Sequence, residues 1–339
     1  MAGRNESLKI WLLSDGAPGH LSQSRGLAEA ISRFRPVEIR EITLQVRQRL
    51  LKSLLRYLLP YSAVLAGPLL HRVYTIELPD EYPDLIISSG GNTLGANALL
   101  AQLYGVPNLY SGTLKKYPAQ CYTRIYTVTP QGCANNVVLP LPPVPLWLTE
   151  KMPVVEADAP WLMLIGGDGA GYRFTEADWE QLADGINQSG ENNGIHWLLT
   201  TSRRTGIEAE QLLHNRIAPD LLDEAVYYGQ TPRPVVREFL GRCQGVMVTE
   251  DSLTMIAEAI YSGRPVITLT PQQSNPDQND ALALEGYVAS GLICRLPLTV
   301  LDKFTYAQRT QAAIPDVARL IWESLHDVLP SPGAADEKS

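Results

Sequence analysis

Residues 245–278, GVMVTEDSLTMIAEAIYSGRPVITLTPQQSNPDQ, limit the possible folds more than any other stretch. An apolar run, Val246–Val248, is followed by the polar turn Thr249-Glu250-Asp251-Ser252. A helix is then predicted, with Ser252 as its N-cap, Ile256, Ala259 and Ile260 on one side, and a stop at Ser262-Gly263. A second apolar run, Pro265–Leu269, leads into a polar loop punctuated by proline. Strand, turn, helix, strand and loop make a βαβ unit, and Glu258 is the only acid inside its helix. In open α/β sheets ligands bind beyond the carboxyl ends of the strands, where helix N-termini favour anions.

The same grammar recurs along the chain. Residues 8–13, LKIWLL, read as a buried strand, and 14–20, SDGAPGH, as a glycine-containing turn. A helix from about Ser22 to Phe34 follows, with Leu27, Ala30 and Ile31 inward. This turn, with Asp15, Gly16, Gly19 and His20, fits either a ligand loop under a helix N-terminus or a plain connection. Residues 83–87, PDLII, are a strand; the turn 88–93 carries Gly90, Gly91 and Asn92, and a helix is predicted over 94–104. Adjacent glycines at a strand's carboxyl end let backbone approach a ligand, and they also suit a tight turn alone. A strand over 124–129 precedes a proline-rich run, 140–160, which reads as an interdomain linker.

A second domain then starts with the strand Trp161–Ile165 and the glycine loop 166–171, GGDGAG. Thr175 caps the next helix, with Glu176 and Asp178 in its first turn. A strand at 196–200 ends in TSRRT, where paired arginines beside hydroxyls suit a pyrophosphate clamp, Arg203 in particular. Tyr227-Tyr228-Gly229-Gln230, expected near a nucleotide base, precedes a short helix at 232–240. Ile314, Val317, Leu320, Ile321, Leu325 and Val328 recur at helical spacing, and residues 331–339 read as a disordered tail. The expected domains are therefore 1–150 and 151–330.

Composition narrows the function. A net charge of −8 argues against nucleic acid as a partner. The four cysteines lie far apart with no C-x-x-C, as in a reducing compartment, and no metal site is expected. The apolar run Ile10–Leu13 is too short for a signal peptide or membrane span, and no stretch reaches about 18 uninterrupted apolar residues. From Ile42 to Ile76 there is no acid. There Leu50, Leu51, Leu54, Leu55, Leu58 and Leu59 cover a wide helical arc opposite Arg49, Lys52 and Arg56. This basic amphipathic helix fits a membrane-surface element or an internal helix with a solvated basic face.

These motifs resemble those of GT-B glycosyltransferases, above all the N-acetylglucosaminyl transferase of peptidoglycan synthesis. Glu258, five residues before Gly263-Arg264-Pro265, matches that family's ribose-binding glutamate, and Gln272, Gln273, Asn275, Asp277 and Gln278 are similar to its loop touching donor sugar and ribose. Gly166, Gly167, Gly169 and Ala170 match its Gly-Gly-x-x-Gly-Ala donor loop; Gly19-His20 matches the end of its acceptor-side loop. Over nearly its whole length the chain more closely resembles the mitochondrial-fission-factor family with bacterial members, whose Asp-Gly-x-x-Gly-His signature followed by Gln is matched by Asp15, Gly16, Gly19, His20 and Gln23.

The resemblance implies an α/β, GT-B-like fold of two Rossmann-like, doubly wound parallel-sheet domains facing across a cleft. It implies a metal-independent glycosyltransferase that moves a sugar from a nucleotide-sugar, as substrate and with no cofactor, to a lipid-linked or cell-envelope acceptor. On this reading His20 or Asp15 is the base, Gly16, Gly19, Gly90, Gly91 and Asn92 face the acceptor, and the donor is held by Gly166, Gly167, Gly169, Ala170, Arg203, Ser252, Glu258, Gln272, Gln273, Asp277 and Gln278. The site is expected in the cytoplasm, peripheral on the inner face of the membrane. Two alternatives share these residues: a nucleotide-sugar 2-epimerase of the same fold, and a non-enzymatic membrane-associated adaptor. The absence of D-x-D, H-E-x-x-H, G-x-S-x-G and GK[ST] leaves chelated-metal and P-loop chemistry unsupported.

Overall fold

The computed structural model describes residues 7–145, 153–305 and 313–329. It forms two compact units, Met1–Thr149 with Pro315–Ser339, and Glu150–Ile314.

The first unit is built on seven strands: β1 (Leu8–Ser14), β2 (Val37–Val46), β3 (Tyr74–Ile76), β4 (Leu85–Ser89), β5 (Asn108–Ser111), β6 (Arg124–Thr127) and β7 (Asn136–Val138). Their order is β3-β2-β1-β4-β5-β6-β7, parallel except for β3, which runs against β2. β1 and β4 are central and nearly all buried, with apolar runs Ile10–Leu13 and Leu85–Ile87 that suit burial on both faces. Helix α1 (Pro18–Ser32) connects β1 to β2. Helices α2 (Arg49–Leu58), α3 (Ala63–Ala66) and α4 (Leu70–Val73) lie between β2 and β3, and α5 (Leu94–Tyr104) follows β4 and ends at Gly105 in the left-handed region.

The second unit has six parallel strands: β8 (Trp161–Leu164), β10 (Trp197–Thr200), β11 (Leu222–Val226), β12 (Gly245–Thr249), β13 (Val266–Thr270) and β15 (Cys294–Pro297). A separate antiparallel ribbon pairs β9 (Tyr172–Arg173) with β14 (Gln273–Ser274). The sheet order is β11-β10-β8-β12-β13-β15. Helices α6 (Glu176–Asn193), α7 (Ile207–Arg216), α8 (Val236–Arg242), α9 (Leu253–Tyr261) and α10 (Gln278–Ala289) connect them. Numbered by first appearance, the central strands of both units run 3-2-1-4-5-6, the doubly wound order. The order reverses between β1 and β4 in one unit and between β8 and β12 in the other, where a ligand crevice is expected.

Several elements differ from the sequence reading. α1 begins at Pro18 rather than Ser22: proline suits the first helical position because its missing N–H has no partner there anyway. His20 is thus in the helix's first turn. α8 starts at Val236, since Pro232 and Pro234 disfavour helical backbone in the residues before them. The start of the proline run is packed structure, not linker. Leu141 and Val144 are fully buried, and a Cβ on Gly26 of α1 would fall 2.4 Å from the Pro143 carbonyl carbon. Proline tolerates this burial because it brings no N–H to satisfy. The centre of that run, 146–152, and the tail 331–339 lie outside the described residues.

Helix α11 (Val317–Glu323) belongs to the first unit. Trp322 stacks on Phe34 at 5.2 Å between ring centroids, and Arg124 donates to both Asp327 carboxylate oxygens at 2.6 and 2.8 Å. In α2 only Leu55 is buried; Leu50 is 89% exposed, and Leu54, Tyr57, Tyr61, Val64 and Leu65 are exposed beside it. Leu51, Leu55, Leu58 and Leu59 pack on the core, so one side of this helix is internal and the other exposes apolar side chains. Among the described residues no helix is long and apolar enough to cross a membrane.

Candidate functional site

At the switch point of the first unit, β1 ends in Ser14-Asp15 and β4 in Ser89-Gly90. Gly16, at φ +80°, turns the chain into α1. His20 Nδ1 lies 3.0 Å from Asp15 Oδ1. The Asp15 carboxylate also accepts from the Ala17 N–H at 3.3 Å and the Asn92 Nδ2 at 3.2 Å. Asp15 is 5% exposed and His20 41%. With Nδ1 donating to Asp15, Nε2 is left as the acceptor, so the carboxylate orients the ring and the imidazole meets solvent. Of the two candidate bases, His20 is the more exposed and Asp15 the more enclosed.

Gly90, at φ +90°, permits this arrangement: a Cβ there would sit 2.2 Å from His20 Nδ1. Gln23 accepts from Ser111 Oγ at 2.8 Å and Ser89 Oγ at 3.4 Å, tying α1 to the ends of β4 and β5. Asn92 and Gly91 are held from α2, whose Lys52 Nζ donates to Gly91 O at 2.6 Å and Asn92 Oδ1 at 3.3 Å. Asp15, His20, Gly90, Gly91 and Asn92 therefore form one group, with Gly16 in the turn beside it and Gly19 in the first turn of α1, and Lys52 joins it from a helix for which the sequence left a membrane-surface and an internal reading open.

In the second unit the glycine loop after β8 lies against the end of β12. Gly166 N–H donates to Thr249 Oγ1 at 2.7 Å and Gly169 N–H to Tyr172 O at 3.1 Å, while the Gly167 amide lies near enough to the Asp251 carboxylate to favour its charged form. The loop closes as a two-residue hairpin with Ala170 at φ +49° and Gly171 at φ +86°. The Gly166 and Gly169 amides are thus engaged inside the protein.

The charge at this loop comes instead from Arg204. Its guanidinium, 37% exposed, pairs with Asp251, whose side chain is 0% exposed. Asp251 also accepts from Thr249 Oγ1 at 2.6 Å and lies where a Cβ on Gly166 would be. Burial raises its pKa, and Arg204, Thr249 and the Gly167 amide oppose that rise. Arg204 Cδ lies 3.4 Å from a Cβ position on Gly169, so the side chain runs along the loop. Arg203, the arginine favoured from sequence, is exposed.

The glutamine-rich loop meets the glycine loop through the β9–β14 ribbon, where Gln273 pairs with Arg173 and Asn275 N–H donates to Gly171 O at 2.8 Å. Gln272 N–H donates to Asp178, while Asp277 caps α10 by accepting from the Asn279 and Asp280 amides, with Gln278 next to it. Ser252 caps α9 through the Met255 amide, and Glu258 is half-buried two turns further on. Glu250, missed from sequence, is buried and accepts two bonds from Arg295 at 2.7 and 2.6 Å, with Thr268 at 2.7 Å. That pair stitches the ends of β12, β13 and β15 together; no spacing in the sequence marks it.

The doubly wound pair of units defines a GT-B-like fold, and comparison with solved structures agrees. A putative UDP-N-acetylglucosamine 2-epimerase from Listeria monocytogenes is 12% identical, with a TM-score of 0.56 and 94% of each chain covered. A MnaA–UDP structure from S. aureus is 10% identical, TM-score 0.50, covering 96% of this chain and 88% of that one. MurG of Acinetobacter baumannii, 13% identical over 96% of each chain, scores 0.48, too low to bear on the assignment. A search of curated proteins found no match. The chain belongs to the mitochondrial fission ELM1 family, whose description matches residues 151–325, over half of its length.

Proposed function

We propose that the protein is a metal-independent glycosyltransferase that moves a sugar from a nucleotide-sugar donor to a lipid-linked or cell-envelope acceptor. The observation that carries this reading is the second unit's switch point, where a buried carboxylate holds Arg204 along the glycine loop. A guanidinium fixed in this way supplies positive charge where a leaving diphosphate gathers negative charge, with no reorganisation during the reaction. Glu258 takes the ribose hydroxyls, and Gln272, Gln273, Asp277 and Gln278 orient the sugar. In the first unit His20 Nε2 removes the proton from the attacking acceptor hydroxyl while Asp15 holds the ring.

The exposed apolar ledge from Leu50 to Leu65, set in an acid-free stretch, supports peripheral contact with the cytoplasmic face of a membrane. Leu50→Glu with Val64→Glu is expected to abolish co-sedimentation with anionic vesicles.

The reading is tested by a thermal-shift panel of nucleoside diphosphates and their sugars. A ligand at about 100 times its Kd adds roughly 2.7 kcal/mol of stability. A base-selective shift that Glu258→Ala removes is the expected result. No shift with any nucleotide overturns the proposal and leaves the adaptor alternative.

A further inference from the structure

Two ammonium groups converge on Gly91. Lys52 Nζ donates to its carbonyl oxygen at 2.6 Å, and Lys115 Nζ lies 2.8 Å from where a Cβ on Gly91 would be. They reach the loop from opposite parts of the unit, Lys52 from α2 and Lys115 from the segment after β5. Lys115 holds φ +56°, a left-handed conformation that costs a side-chain-bearing residue free energy. Neither lysine pairs with a carboxylate among the described residues. Asp15, the acid whose charge acts on Lys52, is already engaged by His20, the Ala17 amide and Asn92.

Lys52 is half-buried, and burial together with Lys115 pulls its pKa below the usual lysine value. Two like charges held over one glycine repel each other unless an anion lies between them. Gly91 makes room for this: any side chain at that position would displace Lys115.

We propose that Lys52 and Lys115 form a receptor for a phosphoryl group, so that the ligand of the first unit carries a phosphate or diphosphate. This rests on the reading of that unit as the acceptor side. A phosphoryl group suits the site because it offers several oxygens and more than one negative charge to two ammonium donors. A neutral hydroxylated acceptor would leave the pair unbalanced. The group also lies beside the Asp15–His20 pair through Asn92, which bonds both Asp15 and Lys52.

The test is site-resolved acetylation of the full chain, read by peptide mass spectrometry, with and without inorganic pyrophosphate or a monoalkyl diphosphate. At ten times Kd, occupancy leaves about one site in eleven open, so acetylation of Lys52 and Lys115 should slow about tenfold while that of exposed Lys9 is unchanged. Protection by both probes assigns the anion to a phosphorylated acceptor. Protection by inorganic pyrophosphate alone keeps the receptor but assigns it to free anion. No protection by either overturns the proposal. Because nucleotide binding is read separately through Glu258, a failure here is distinct from failure of the donor reading.

Discussion

At the scale of single residues, the glycine loop of the second unit depends on one carboxylate. Asp251 is fully buried and holds both Arg204 and Thr249, so removing it leaves the buried Thr249 hydroxyl without its acceptor and Arg204 without its carboxylate. Leaving a buried donor unsatisfied costs about 1–3 kcal/mol, and Asp251→Ala should lower the denaturant midpoint accordingly. Arg204 is the accessible half. Arg204→Gln should weaken nucleoside diphosphate binding about tenfold, or 1.4 kcal/mol, in titration calorimetry, whereas Arg203→Gln should change it less than about twofold. Equal losses in both variants would remove Arg204 from the site. The neighbouring turn offers a second contrast. Gly171 is at φ +86°, and a Cβ there would lie 2.0 Å from Asn275 O. Gly171→Ala should therefore cost about 2–4 kcal/mol and part the β9–β14 ribbon. Ala170→Gly should be neutral or stabilise by roughly 0.5 kcal/mol, since glycine accepts φ +49° without a Cβ clash. Urea melts of the two variants measure both.

At the scale of elements, α10 carries a pH-sensitive group. Asp280, in its first turn, is pushed up to about 6 by burial and by Asp277, from an ordinary value of 3.8. The folded state thus holds a proton that the unfolded chain releases. Its contribution to stability is complete below about pH 4 and is lost as pH rises through 6. Asp280→Asn should flatten that slope and leave the variant up to about 3 kcal/mol more stable than the parent at pH 8. An unchanged slope between pH 4 and 7 would sink the assignment. Elements such as this show what the sequence made legible. Strand, glycine turn and capped helix recur with local signals, so the alternation of β1, α1, β4 and α5, and of β8, α6, β12 and α9, could be read from periodicity and caps. Asp15 and His20, five residues apart, were singled out by the family resemblance. What stayed hidden depends on distant partners or side-chain direction. Glu250 and Arg295 are 45 residues apart with no motif between them. Arg203 and Arg204 are adjacent, and only the loop's path decides which one lies along the glycines. Lys52 read as part of a solvated face because its partner, Gly91, arrives from a different strand.

For the molecule as a whole, the chain's path back into the first unit makes a prediction about cooperativity. The sheet of that unit is complete by β7, yet α1 still has a flank to cover, and α11 covers it after the entire second unit has been made. Val317, Ala318, Ile321 and Leu325 are buried there, Trp322 stacks on Phe34, and Arg124 and Tyr126 at β6 bond to Asp327 and Ser324. A fully buried Val, Leu or Ile contributes about 1.5–3 kcal/mol, and an aromatic pair adds roughly 1 kcal/mol. Their sum is of order 5 kcal/mol, comparable with the whole stability of a small domain. A chain ending at Ile314 should therefore lose amide-exchange protection in α1, β1 and β6, while β8, β12 and β13 keep theirs. The alternative, that 315–329 is a passive extension, predicts unchanged protection in both sheets. Adding a peptide of residues 315–329 separates specific docking from general destabilisation: if α11 is an integral part of the unit, protection returns with peptide concentration, and a Trp322→Ala peptide restores it only at higher concentration.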